Sequence, residues 1–318
     1  MNTSKTKILI TGGAGNVGSA LVEKLLQNPD NFVVILDNLS TGLLSKLPPS
    51  ETPNWKFIKA DVNNLKDIST VMLSFNFDFV FHFAAVVGVL RTQENPIDVL
   101  RDIDGIKNVL DLSKNSTVKH VYFSSSSEVY GEPVELPQNE HRTPLNSRVP
   151  YAVVKNVGEC FFRTYWQTYQ LPYTIFRFFN TYGPNQSTDF VVARFLASAL
   201  KGKDITIYGD GSQTRTFTYV EDTINVCHSI FENKLLVNDV INVGNDELMT
   251  IKDLALLTIK LTDSSSKIIH LPPLKEGDMT RRQPDNKKMK EILNKKLISV
   301  EEGILRMTKD ERFLKSIG

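Results

Sequence analysis

Cysteine is scarce: the 318 residues hold two, Cys160 and Cys227, far apart and without the spacing of a metal site. That excludes a disulfide-stapled framework and a cysteine metal centre, and it sets the expectation of a reducing, cytoplasmic setting. Charge of one sign is missing too. Lys and Arg number 37 against 36 Asp and Glu, a formal net charge of +1. No global field favours nucleic acid or an anionic membrane, so an anionic ligand must be held by local donors. The longest apolar run, FVFHFAAVVGVL at 79–90, is too short to span a bilayer and contains His82 and Gly88. The opening MNTSKTKILI enters a strand-like run without an apolar signal core. Repeats and low-complexity linkers are absent. What remains is 41% hydrophobic and 23% charged, an ordinary globular composition with ample material for a large core.

What is present is an alternation. KILIT (7–11), FVVILD (32–37), KFIKAD (56–61), FVFHFA (79–84), VKHVYFSS (118–125) and YTIFRF (173–178) read as buried strands. Helical stretches separate them, near 16–28, 64–75, 97–114 and 151–169. Strands that are apolar throughout and joined through helices imply a parallel sheet covered on both faces, an α/β class. After residue 179 the rhythm changes to a turn-rich segment, a helix near 189–200, the short strand DITIY and the loop GDGSQTRTF. VINVG at 240–244 is expected to return to the main sheet. The organisation read here is a nucleotide-binding domain of residues 1–178 and 222–247, with a smaller lobe of 179–221 and 248–318 closing over a ligand at the carboxyl edge of the sheet.

TGGAGNVGS places Gly12, Gly15 and Gly18 directly after the first strand and before a helix. Glycine permits a tight turn and close approach of backbone to a pyrophosphate, whose charge then faces the helix N-terminus. A bare glycine pattern could be a plain turn; the strand–turn–helix context favours a dinucleotide. Asp37 ends the second strand about twenty residues on, where a carboxylate accepts from an adenosine ribose. It would repel a 2′-phosphate, and Asn38, Leu39 and Ser40 bring no cation, so NAD is favoured over NADP. The expected cofactor contacts are Gly12, Gly15, Asn16, Val17, Gly18, Asp37, Asn38, Asp61, Val62, Ala84, Tyr151 and Lys155.

Tyr151 and Lys155 lie four apart on a helix and share a face. A free phenol has a pKa of about 10, too high for a base near neutrality. A neighbouring ammonium would favour the phenolate. SSSSEVYG at 124–131 ends the fifth strand, where a sheet of this kind presents catalytic groups. Ser126 could bridge the phenol and a substrate oxygen, and Glu128 adds a carboxylate. His82 reads as a packed residue, not a catalyst.

Together, TGGAGNVG, Asp37, SSSSEVYG and Tyr151-x-x-x-Lys155 resemble the extended short-chain dehydrogenase/reductases that modify nucleotide sugars. RFFNTYGP (177–184), YGDGSQTRTFTYVED (208–222) and RRQPD (281–285) extend the likeness over nearly the whole chain. The resemblance implies a Rossmann doubly wound sheet with NAD, a C-terminal lobe holding a nucleoside-diphosphate sugar, and a homodimer. Carried over, Ser126, Tyr151 and Lys155 are the catalytic triad, with Glu128 beside them. Ser127 and Asn180 would touch the substrate, and Arg215 and Arg282 its diphosphate, as suits arginine's forked donors. Arg281 is the alternative to Arg282. Two departures stand out: Asp102 occupies the usual asparagine position in the helix after the fourth strand, and VVGVLRTQENP (86–96) fits neither the epimerase nor the decarboxylase pattern.

The implied first step is oxidation at sugar C4 by hydride transfer to NAD. Epimerisation at C4 is the leading reading of the fate of the 4-keto sugar. Decarboxylation, as in UDP-glucuronate decarboxylases, 4,6-dehydration and net C4 oxidation are the alternatives. Ser127-Glu128 departs from the Asp-Glu of dTDP-glucose dehydratases and argues against that branch. A catalytically silent NAD(H)-binding regulator and a dehydrogenase of small free alcohols are the rivals from other classes. The first would have no need of Tyr151 and Lys155, the second none of Arg215 and Arg282.

Overall fold

The structure, a computed structural model, describes residues 5–273 and 279–318. Residues 1–4 of the expected nucleotide-binding domain and 274–278 of the expected smaller lobe lie outside the described residues, as do the side chains of Val89 and Leu90.

Seven strands form one sheet: β1 (Thr6–Thr11), β2 (Asn31–Asp37), β3 (Trp55–Lys59), β4 (Phe79–His82), β5 (His120–Ser126), β6 (Tyr173–Phe178) and β7 (Asp239–Val243). Their order is 3-2-1-4-5-6-7, parallel throughout. The β-branched and aromatic runs explain the strands. Ile8, Ile10, Val33 and Ile35 are all fully buried, each worth about 2 kcal/mol of transfer free energy. Parallel neighbours need crossovers, and the sequence supplies them as α1 (Asn16–Leu25), α2 (Leu65–Phe75), α3 (Val89–Glu94), α4 (Pro96–Lys114), α5 (Pro150–Tyr169), α6 (Val191–Leu200) and α7 (Val220–Glu232). One apolar cluster lies under α2, α4 and α5 and another under α1 and α7, so both faces of the sheet are covered.

The chain reverses direction across the sheet between β1 and β4, where Thr11 pairs with His82. The crevice outside the carboxyl ends at such a reversal is where open α/β sheets hold ligands. β7 joins the edge beside β6, in keeping with the run VINVG.

The C-terminal residues add α8 (Ile251–Thr262), α9 (Lys287–Leu293), α10 (Val300–Met307) and α11 (Glu311–Ile317). Short two-stranded pairs accompany them, including Thr214–Thr216 with Leu248–Thr250 and Ile205–Tyr208 with Ile268–Leu271. A third apolar cluster, with Phe195, Phe217, Leu254, Ile304 and Phe313, packs these elements together. Three lysines of 287–296 make ion pairs: Lys288 with Asp239, Lys290 with Asp246 and Lys295 with Asp222.

Element ends differ from the sequence reading by a few residues. The third strand stops at Lys59 because Asp61 turns away, its Oδ1 accepting from the Asn63 amide at 2.9 Å. Segment 86–96 contains the short helix α3, which alternation alone did not reveal. Among the described residues no helix is long and apolar enough to cross a membrane.

Candidate active site

A cavity of about 810 Å³ opens at the reversal point, and the glycine turn forms part of its wall. Gly12 has φ +71°, and a Cβ there would lie 2.6 Å from the Ala84 nitrogen. A Cβ on Gly18 would run into the Gly12 carbonyl oxygen, so this glycine lets α1 pack against the turn. Gly15 differs. It caps α1 without any side-chain hydrogen bond, and a Cβ there would meet protein only at Gly12 O, 3.2 Å away. The first-turn amides of α1 are thus left open beside the cavity, as an anionic diphosphate requires.

Asp37 is buried at the end of β2. It accepts from Ala14 N at 3.0 Å and Leu39 N at 2.8 Å, which ties it to the glycine turn. Asn38 donates to Asp61 at 3.2 Å. Asp37, Asn38, Asp61, Val62 and Ala84 all line the cavity, as do Asn16 and Val17. Sequence reasoning missed Lys46, which also lines it; burial pushes its ammonium down and Asp37 pulls it back. Nothing in the three residues after Asp37 points to this cation. We expect Asp37→Ala to erase the preference for NAD, because Lys46 would then face a 2′-phosphate without an opposing carboxylate. Binding of NAD and NADP by fluorescence titration checks this; an unchanged ratio removes Asp37 from the ribose role.

Ser126, Ser127, Glu128, Tyr151 and Lys155 meet in the same wall, at the carboxyl end of β5 and the first turns of α5. Lys155 is buried, and its Nζ donates to Ser124 O at 2.6 Å while standing 5.8 Å from the Tyr151 ring centre. Burial pushes the ammonium down to about 8, against the pull of Asp102. Burial holds Tyr151 well above its ordinary pKa, and Glu128 raises it further, while hydrogen bonding from Ser126 and the charge of Arg282 oppose this. The Tyr–Lys spacing therefore brings the groups together, but in the ligand-free protein desolvation outweighs any gain from the ammonium.

Arg282 is buried, lines the cavity and stands 3.4 Å from Glu128. Its Nε has no hydrogen-bond partner among the described residues, an unsatisfied donor on a charged group beside a ligand space. Arg281 is exposed and is not among the residues lining the cavity, so of the two arginines Arg282 faces it. Asn180 lines the cavity at φ 38° with its amide on Thr216 O at 2.9 Å. Arg215 is buried and donates to Thr214 O at 2.8 Å; it is not among the residues lining the cavity. Its strand, Thr214–Thr216, bridges to Arg281 and so runs beside the Arg282 segment.

His82 bonds Thr11 Oγ1 at 2.9 Å, and burial pushes it down to about 3, so it stays neutral at any working pH. Asp102, which stands where the resembled family has asparagine, accepts from Val86 N at 2.7 Å and Asn63 Nδ2 at 3.2 Å. It thereby anchors the start of the unusual 86–96 segment. Arg91 of that segment reaches Asp189 at 3.1 Å, and Asp189, Thr92 and Gln93 are part of the cavity lining.

A glycine turn after β1, a buried acid at the end of β2 and a Ser–Tyr–Lys group in one cavity are the frame of a nicotinamide-dependent enzyme of the doubly wound class. The chain belongs to the NAD dependent epimerase/dehydratase family, whose model matches residues 8–244. It is 36% identical over 301 residues to a UDP-N-acetyl-alpha-D-glucosaminuronate decarboxylase of Bacillus cytotoxicus, covering 91% of this chain and 92% of that one. Its fold is similar to the UDP-glucose 4-epimerase of Thermotoga maritima with UDP-glucose, with a TM-score of 0.90 and 31% identity over 98% of this chain and 100% of that one. It is also similar to a UDP-glucuronic acid 4-epimerase from Bacillus cereus in complex with a fluorinated UDP-sugar and NAD, with a TM-score of 0.87 and 28% identity over 98% and 100% of the two chains. The relatives thus include both decarboxylases and epimerases of nucleotide sugars, and NAD is the cofactor of the family.

Proposed function

We propose that this enzyme oxidises C4 of a nucleoside-diphosphate sugar by hydride transfer to NAD and returns the hydride to the opposite face, a 4-epimerisation. The observation that carries the reading is the meeting of Tyr151, Ser126 and Lys155 with the glycine turn in one cavity. NAD accepts the hydride when bound, and its nicotinamide brings a positive charge. Tyr151 takes the hydroxyl proton, Ser126 orients the phenol, and Lys155 fixes the end of β5. Arg282, buried with an unpartnered Nε among the described residues, takes the diphosphate, with Arg215 on the neighbouring strand as the second arginine proposed for it. Residues 179–221 and 248–318 form the nucleotide-sugar lobe in this reading. The setting is cytoplasmic and the assembly a homodimer.

Decarboxylation is the second reading, favoured by one observation: Glu128 stands beside both Tyr151 and Arg282, where an acid–base group could act on C5 of a uronic sugar. Glu128→Gln separates the two. A pure epimerase should lose little rate. Because the Glu128 charge raises the Tyr151 phenol, its removal should also move the acid limb of the pH–rate profile to lower pH. An unmoved limb would show that this charge does not act on the base. The direct test of the reaction is incubation with UDP-, GDP-, dTDP- and CDP-sugars, read by mass and NMR. Unchanged mass with inverted C4 supports the epimerase; loss of carbon dioxide, of water or of two hydrogens assigns decarboxylation, dehydration or oxidation.

A further inference from the structure

The face of α5 that carries Tyr151 and Lys155 continues one turn on to Glu159, which is 0% exposed. Each of the three meets one serine at the end of β5. Ser126 acts on the Tyr151 phenol, Lys155 bonds the Ser124 carbonyl, and Ser125 Oγ donates to Glu159 Oε1 at 2.7 Å. From Glu159 the bonds run onward through the interior. Arg177 on β6, 2% exposed, donates Nε to Oε1 at 2.8 Å and Nη2 to Oε2 at 2.7 Å. Its Nη1 donates to Tyr130 Oη at 2.8 Å and Glu140 O at 3.1 Å. Tyr130 donates to Asn242 Oδ1 at 2.8 Å. Asn242 Nδ2 then donates to Gln138 O at 2.8 Å and Asp285 O at 3.3 Å. Asp285 is three residues from Arg282, and its amide returns to Gln138 O at 2.8 Å.

A buried ion pair is a poor route to stability, since apolar residues of the same volume serve as well or better. This one has a different consequence: it joins the serine end of β5 to the segment that carries Arg282. We propose that Glu159 and Arg177 are positioning residues. Through Tyr130 and Asn242 they hold the Ser126–Tyr151 side of the cavity in register with Arg282. The inference rests on the proposed roles of Tyr151 as base and Arg282 as diphosphate ligand, and its test has a readout that needs neither.

Tyr130→Phe is the decisive variant, because it removes the hydroxyl that joins Arg177 to Asn242 and leaves both charges paired, with only the route through Glu140 remaining. Backbone amide hydrogen exchange is measured on the NAD-loaded protein, with UDP as the calorimetric probe. The expected result is exchange about tenfold faster at residues 138–140 and 283–286, UDP binding weakened about fivefold, and NAD content unchanged. Glu159→Gln should extend the faster exchange to residues 124–127. Unchanged exchange at 283–286 and unchanged UDP affinity in Tyr130→Phe, with only a lower melting temperature, would overturn the inference and leave a purely structural network. A wild-type protein that binds none of UDP, GDP, dTDP and CDP would instead refute the nucleotide-sugar reading, and the exchange result would still decide the brace.

Discussion

Tyr151→Phe is expected to reduce turnover by about a thousandfold or more while the protein keeps its NAD. A positioned proton acceptor contributes about a hundred- to ten-thousandfold, and removal of the hydroxyl leaves no group at the same place to substitute. Ser126 is a weakly basic hydroxyl, Lys155 is engaged with the Ser124 carbonyl, and neutral His82 faces Thr11. Glu128 is the carboxylate near both the phenol and Arg282, and it would need to leave Arg282 to act. The ring itself stays, so the cavity wall and the cofactor contacts of α1 are undisturbed. Cofactor content of the purified variant and its initial rates check both halves of the expectation. Activity within tenfold of wild type would remove Tyr151 from the role of base.

The second large effect falls on the cofactor. Gly15→Ala is expected to weaken NAD binding by about a hundredfold, near 3 kcal/mol, with little change in the stability of the cofactor-free protein. The added methyl meets protein only at Gly12 O, 3.2 Å away, so the turn can accept it. It would occupy the space through which a diphosphate reaches the α1 amides. Gly18→Ala supplies the contrast, because its methyl collides with the Gly12 carbonyl and must push α1 off the turn. That variant should lose NAD and thermal stability together. Titration of NAD and melting curves without cofactor distinguish the two. Equal NAD affinity in Gly15→Ala and wild type would mean that the diphosphate does not sit at this turn.

The sheet was legible because most of its strands carry short β-branched or aromatic runs separated by helical stretches, the pattern of a doubly covered parallel sheet. The glycine turn was legible for a related reason: close backbone approach there leaves no room for a Cβ on Gly12 or Gly18. Four features lay beyond the sequence. Spacing placed Tyr151 and Lys155 on one face but carried no information on solvent, and burial decided the phenol's pKa. Neighbouring arginines in an extended segment point to opposite sides, so Arg282 lines the cavity while Arg281 stays outside; sequence alone could not say which. The Glu159–Arg177 pair was also overlooked, although Tyr151, Lys155 and Glu159 repeat every fourth residue. Its significance depends on β5 and β6 being neighbours, a long-range fact. The same holds for Lys46, nine residues past Asp37 in sequence but in the same cavity wall.

The central claim is that hydride leaves a sugar carbon for the resident NAD with the Tyr151 phenol taking the proton. A single-turnover mixing experiment with a nucleotide sugar carrying deuterium at C4 tests it most directly, with the reduced-nicotinamide absorbance followed in wild type and Tyr151→Phe. A transient reduced band is expected in wild type, slowed severalfold by deuterium and absent from the variant. A product that forms without that band and without an isotope effect would contradict the claim.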